Sequence, residues 1–381
     1  MKNLFGTRWG IIGVGAAIGI LAPLLQNWGN PPNMGICVAC FERDIAGSLG
    51  LHRAAVVQYL RPEIIAFVIG SFIAALLFKE FKPRTGSAPV VRFFLGVFAM
   101  IGALVFLGCP WRALIRLSAG DGNAIIGIIG LIFGIYIGTR FLKMGFNLGR
   151  SEKTHYSVGL MMPILMVGLI VLAFIFSGPG PAAVKAAGAA KSVKSGVLWY
   201  SIKGPGAMHA AVIISILAGL AIGFLAQRSR FCTMGAFRDL ILFKIPYLFL
   251  GVAAFAVFAF GTNLVLRQFH AGFIGQPIAH HQYLWNFLGM TLAGLAFCLA
   301  GGCPGRQLFL SGEGDADAAV FVLGMIVGAA MAHNFGLAAV PDKMAGGVLV
   351  KAGGIGPAGM IAVGVGLALC VFFGLTMRQR A

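Results

Sequence analysis

Residues 108–124 read GCPWRALIRLSAGDGNA, and residues 302–318 read GCPGRQLFLSGEGDADA. Gly108, Cys109, Pro110, Arg112, Leu114, Gly120, Asp121 and Ala124 fall on Gly302, Cys303, Pro304, Arg306, Leu308, Gly314, Asp315 and Ala318 without a gap, at an offset of 194 (302 − 108). A second pair of stretches precedes them in each half. CVACFERD at 37–44 matches CTMGAFRD at 232–239, placing Cys37, Arg43 and Asp44 on Cys232, Arg238 and Asp239 at an offset of 195 (232 − 37). Two motifs recurring in one order at nearly one spacing mark a duplicated chain.

The surroundings of these motifs set the class. Of 381 residues, 59% are hydrophobic and 10% charged, against about a quarter charged in a soluble domain. Ten apolar segments are long enough to cross a ~30 Å hydrocarbon core: 9–26, 62–78, 92–108, 123–142, 157–176, 208–226, 246–264, 284–302, 317–335 and 356–377. The first has a counterpart at 208–226 and is read as a span, not a signal peptide. Five spans per half is an odd number, so the second half enters the membrane from the opposite side. The expected fold is an all-α integral membrane protein with two inverted repeats, residues 1–176 and 207–381. A Gly/Pro/Ala/Lys-rich linker, 177–206, joins them.

Each motif lies between two spans and is too short to cross. Ten helical residues rise about 15 Å, half the core. Four re-entrant half-helices are therefore expected, two from each side, forming an hourglass-like pathway. Proline after Cys109 and after Cys303 suits a first helical turn, where no N–H is needed. Each cysteine then sits at a helix N-terminus, where free N–H groups and the helix dipole favour an anion. Cys37 and Cys109 are expected to line an outer funnel, Cys232 and Cys303 an inner one.

Basic residues outnumber acidic ones, 29 to 11, and they sit between spans, so topology explains them better than nucleic acid. Loops 79–92, 140–156 and 227–245 carry four basic residues each, which places them and both termini on the cytoplasmic side. Lys185, Lys191, Lys194 and Lys203 of the linker fall on the other side. No Walker loop, dinucleotide fingerprint or nucleophile elbow occurs in a fitting context, so no cofactor, ATP-driven step or enzymatic function is expected.

Several features admit a plainer reading. Cys298 and Cys370, alone in apolar spans, read as small buried hydrophobes. Cys37 and Cys40 form CxxC, which suits a redox pair, but Gly235 stands where a repeat of Cys40 would be. Cys40, Arg43, Asp44, Arg238 and Asp239 are accessory or structural candidates. Arg112 and Arg306 lie one turn past their cysteines on the same face and read as charges guiding an anion. Asp121 and Asp315 read as N-caps of the next span. His280–His281 is too little for a metal site, and Met161, Met162 and Met166 read as packing.

These motifs resemble the YeeE/YedE family of membrane transporters for sulfur-containing ions, over nearly the whole chain. Residues 30–63, NPPNMGICVACFERDIAGSLGLHRAAVVQYLRPE, are similar to the YedE-related branch linked to selenium metabolism. The resemblance implies a bacterial inner-membrane protein in which thiols pass the ion along through S–H···S hydrogen bonds. That role would fall on Cys109, Cys232 and Cys303, with Cys37 as the matching fourth position. The expected cargo is a small anion, selenium species first and thiosulfate next, delivered to a cytoplasmic acceptor protein. Two other functions stay open on the residues alone: a thiol oxidoreductase using Cys37 and Cys40, and a passive channel for small neutral solutes.

Overall fold

The computed structural model describes residues 4–176, 178–186 and 188–378. Residues 1–3, 177, 187 and 379–381, which include the outer limits of both expected repeats and two linker positions, lie outside the described residues.

Seven helices come before the linker: α1 (Arg8–Asn27), α2 (Val38–Ser48), α3 (Pro62–Leu77), α4 (Pro89–Phe106), α5 (Pro110–Ser118), α6 (Asn123–Lys143) and α7 (Tyr156–Ile175). The short α8 (Pro181–Ala186) lies within it. Seven more follow: α9 (Val212–Ser229), α10 (Thr233–Phe243), α11 (Tyr247–Val265), α12 (Tyr283–Ala300), α13 (Pro304–Gly312), α14 (Ala316–Asn334) and α15 (Pro357–Thr376). Short strands pair as β1 (Arg84–Thr85) with β2 (Glu152–Lys153), β3 (Ser192–Ser195) with β4 (Leu198–Ser201), and β5 (Lys343–Ala345) with β6 (Val348–Lys351).

Among the described residues, nine helical stretches are long and apolar enough to cross a membrane. The expected count was ten. The difference is α3, which has 16 residues and rises about 24 Å, short of the ~30 Å core. Three of the nine stretches, 89–118, 212–243 and 283–312, run from a long helix straight into a short one, broken at Cys109, Cys232 and Cys303. The span expected at 208–226 begins at Val212 instead, because His209 turns out to stack on Tyr59 at 4.4 Å.

Local chemistry explains the breaks. α4 ends at Leu107 in the left-handed conformation (φ 61°), and α12 ends at Gly301 in the same one (φ 85°). The chain then extends through Cys109 or Cys303, and Pro110 or Pro304 opens the next helix. Leucine adopts this backbone at a cost that glycine avoids. The LGC and GGC versions of the motif thus share one bend.

Packing follows a reciprocal rule. α1 packs on α11 and α3 on α9, while α4 packs on α14 and α6 on α12. These are close contacts between glycine and backbone: Gly96 lies against the Phe321 carbonyl and Gly324 against that of Phe93. The loops obey the same rule. Lys82 and Arg84 N–H donate to Glu313 and Gly314 carbonyls, while His270 and Gly272 N–H donate to those of Ala119 and Gly120.

The bundle has two distinct ends. At one end the basic loops meet: Arg228 pairs with Glu80 at 2.8 Å, and Arg84 pairs with Asp315 at 2.7 Å. Both described termini are there too, Phe5 O accepting from Tyr247 and Met377 O from Asn147. Burial raises the Glu80 carboxyl, but hydrogen bonds from Gln227 and Arg228 outweigh it and hold that carboxyl below its ordinary range. At the other end the linker forms structure. Its β3–β4 hairpin is fixed by Ser201, whose N–H donates to Gln58 O and whose hydroxyl donates to Ala55 O.

Candidate functional site

The four short helices have 11, 9, 11 and 9 residues, and a cysteine caps the N-terminus of each: Cys37 for α2, Cys109 for α5, Cys232 for α10 and Cys303 for α13. The fold brings them together in pairs. Cys37 Sγ lies 3.8 Å from Cys109 Sγ, and Cys232 Sγ lies 3.7 Å from Cys303 Sγ. All seven cysteines are free and buried.

Each pair is the meeting point of two helix N-termini. The Cys37 and Cys232 sulfurs accept from the N–H of Cys40 and Gly235 in their own first turns, at 3.4 and 3.2 Å. The Cys109 sulfur faces the N–H groups of Ala39 and Arg112, one from each helix. The Cys303 sulfur faces those of Thr233 and Arg306, again one from each. Unsatisfied N–H groups and the positive dipole ends of two helices thus converge on each thiol pair, an arrangement that favours a negative ligand. Both pairs are closed: Cys37, Cys109 and Cys303 are fully buried and Cys232 is 5% exposed. A cavity of about 450 Å³ under the hairpin, lined by Tyr59, Tyr200 and His209, includes none of these cysteines.

Next to the pairs is an aromatic cluster, centred on Trp111, that the sequence motifs did not point to. The Trp111 ring packs within 6.2 Å, centroid to centroid, of Phe67, Phe231, Phe255 and Phe309. Trp111 follows Cys109 by two residues, Phe231 precedes Cys232, and Phe309 lies on α13. The indole is fully buried, and its N–H has no hydrogen-bond partner among the described residues. The signal was available: tryptophan at 111 faces glycine at 305, the one large mismatch in the first positions of the repeated motif.

The arginines are placed unevenly. Arg112 is fully buried and donates to the carbonyls of Leu107, Asn33 and Ile278, with Nη1 3.4 Å from Cys40 Sγ. It brackets the turn carrying Cys109. Arg306 pairs with Glu313 at 3.0 Å. Arg43 and Arg61 share Asp44 at 2.6 and 2.8 Å, all three buried. Arg61, absent from the sequence-based candidates, carries this triad to the 205–208 turn through the Pro205 and Met208 carbonyls. Arg238 and Asp239 make the matching pair at 2.8 Å, partly exposed and without a third member among the described residues. Asp315 caps α14 as expected, and Asp121 pairs with Arg116 at 2.6 Å while accepting from Asn123 N–H. His280 donates from Nε2 to Val105 O at 2.7 Å, and His281 meets Asp342 at 2.9 Å. They part as neighbours on a loop do. Beside the triad, burial pushes the His52 imidazole down. Cys40 points to Leu107 O at 3.8 Å, and Cys298 and Cys370 are buried on α12 and α15.

Residues 228–380 match the family model described as sulphur transport. The thiosulfate transporter TsuA of Escherichia coli (strain K12) is 31% identical over 108 residues, 28% of this chain and 30% of that protein. The thiosulfate transporter TsuA of Spirochaeta thermophila is 34% identical over 101 residues, 26% of this chain and 29% of that protein. The matched stretches thus span under a third of the length of either relative.

Proposed function

We propose that this chain takes up a small sulfur anion of the thiosulfate class through the two thiol pairs. The observation that carries the reading is that each pair sits where two helix N-termini converge, and that Trp111, two residues from Cys109, packs on Phe231, the residue before Cys232. In this reading residues 1–176 and 207–381 are inverted repeats, and α2, α5, α10 and α13 are re-entrant half-helices. The basic end, with both termini, is cytoplasmic. Cys37 and Cys109 form the outer contact, Cys232 and Cys303 the inner one.

The chemistry fits a soft anion. A neutral thiol is a weak donor, and sulfur is polarizable, so each pair offers a shallow contact that a terminal sulfur can leave again. Repeated weak sites are what permeation needs. The converging N–H groups supply the favourable potential, while Arg112 and Arg306, tied to carbonyls and to Glu313, hold the half-helices in register. The relatives are thiosulfate transporters, so thiosulfate takes precedence over the selenium species that residues 30–63 had put first.

The test is uptake of radiolabelled thiosulfate into proteoliposomes by the wild type, Cys109→Ala and Cys303→Ala, with selenite as competitor. The expected result is uptake that each variant lowers at least tenfold while remaining folded. Competition by selenite would widen the substrate class. Undiminished uptake in both variants would remove the thiols from the path, and no uptake by folded wild type would favour the Cys37/Cys40 redox function.

A further inference from the structure

Glu42 is fully buried on α2, and neither of its carboxyl oxygens has a hydrogen-bond partner among the described residues. Its side chain lines a cavity of about 80 Å³ walled by Met162, Met166 and Leu169 of α7, Leu308 of α13 and Val322 of α14. A space so lined offers water no second polar partner and stays dry. An ionised carboxylate there would lack both water and a counter-charge, a state that costs several kcal/mol and that a carboxyl avoids by holding its proton.

The charged groups on the surrounding elements are engaged elsewhere. On α2, Arg43 and Asp44 hold each other and Arg61. On α3, Glu63 accepts from Asn30 and Ser215. On α4, Arg92 donates to Ser87 and Ala300. On α13, Arg306 pairs with Glu313. On α14, Asp317 accepts from the Gly86 and Ser87 N–H groups, and His333, whose Nε2 has no hydrogen-bond partner among the described residues, packs its ring on His52 at 4.7 Å. On β4, Tyr200 donates to Phe176 O. The α7 wall supplies only methionine and leucine.

Packing does not require a carboxyl at this position. Its counterpart in the second half, at the offset of 195, is Phe237 on α10, which packs edge-on against Phe249 at 6.0 Å. One half-helix holds an aromatic ring where the other holds an acid. The same α2 carries Cys37 at its N-terminus, five residues from Glu42. Any movement that opens the Cys37–Cys109 contact by displacing α2 also moves Glu42 relative to its dry wall.

We infer that Glu42 is a proton-binding site, and that its protonation accompanies closure of the Cys37–Cys109 contact during each uptake cycle. The coupling rests on the transport reading above. With α2 displaced, the carboxyl meets water and ionises. To return to the dry cavity it takes one proton from solution onto a carboxylate oxygen, and the contact closes.

The test pairs two measurements on the wild type, Glu42→Gln and Glu42→Leu, all in proteoliposomes. The first is thiosulfate uptake as the outer pH is stepped. The second is the infrared band of protonated carboxyl groups. Wild-type uptake is expected to fall toward about tenfold per pH unit on the alkaline side of the Glu42 titration, as for a single proton. Both variants, permanently neutral, are expected to lose that slope, and the wild type should show a protonated-carboxyl band that both lack. A variant that keeps the wild-type pH profile would overturn the coupling, and identical infrared bands would overturn the proton site. Absence of uptake from all three would sink the transport reading and the coupling with it, while the infrared band still decides whether Glu42 holds a proton.

Discussion

Trp111 packs on Gly305, the residue that stands in its own place in the second motif. A Cβ on residue 305 would lie 3.1 Å from the indole. One half supplies the indole and the other the room for it, so a duplicated sequence yields a single, unrepeated aromatic contact.

Replacing Trp111 separates its two properties. Trp111→Phe keeps a ring and removes the unpartnered N–H. It is expected to raise the KM for thiosulfate several-fold with little change in maximal rate. Trp111→Ala is expected to leak, measured as loss of uptake selectivity between thiosulfate and sulfate. Equal kinetics for wild type and Trp111→Phe would show that the indole N–H does not meet the anion.

Asp44 is the one carboxylate that pairs with Arg43 and Arg61 among the described residues, and all three are buried. Asp44→Asn leaves two guanidiniums without a counter-charge, a change worth about 3–5 kcal/mol. A large drop in the melting temperature of the detergent-solubilised protein is expected. Asp239→Asn, at the partly exposed pair in the second half, should shift it far less. Comparable shifts would contradict the difference in burial.

Arg112 brackets three carbonyls, those of Asn33, Leu107 and Ile278. Lysine cannot reproduce that planar fork. Arg112→Lys is therefore expected to lower stability, by about 1–3 kcal/mol for each buried carbonyl left unmet. The ionic-strength dependence of KM should stay unchanged. A flattened salt dependence without loss of stability would instead mark Arg112 as a charge that draws the anion in.

The α4–α14 crossing has no room for a side chain at Gly96, whose added Cβ would enter the Phe321 carbonyl. Gly96→Val should force the helices apart and destabilise by about 1–3 kcal/mol or more. Gly364→Val, on α15 with nothing within 4 Å, is the control that should fold normally. Equal thermal stability of the two variants would deny the close approach.

The sequence made the cysteine-headed elements legible because their chemistry is local: cysteine, proline and an offset that repeats. It also gave the long helices to within a few residues, since a continuous apolar run leaves little choice of structure. The partners of each charge were not legible. Whether Arg112 faces an anion or the Leu107 carbonyl depends on how α5 meets the 33 and 278 loops, which no spacing encodes. The role of Arg61 is hidden in the sequence for the same reason, as its acid, Asp44, lies on another helix. Trp111 and Glu42 were visible as mismatches between the halves, at Gly305 and Phe237, but attention to what repeats hides what does not.

The reciprocal packing also bears on how the chain is made. α1 lies on α11, α3 on α9, α4 on α14 and α6 on α12, so the main partners of four early helices are synthesised last. Until residues 212–334 emerge, those early helices can have only lipid or one another beside them, with Gly96 and its like facing no carbonyl. Assembly is then a late, concerted event, and a ribosome stalled within the linker would leave a fragment with four of the nine candidate spans and few of their contacts, its glycine faces still unfilled.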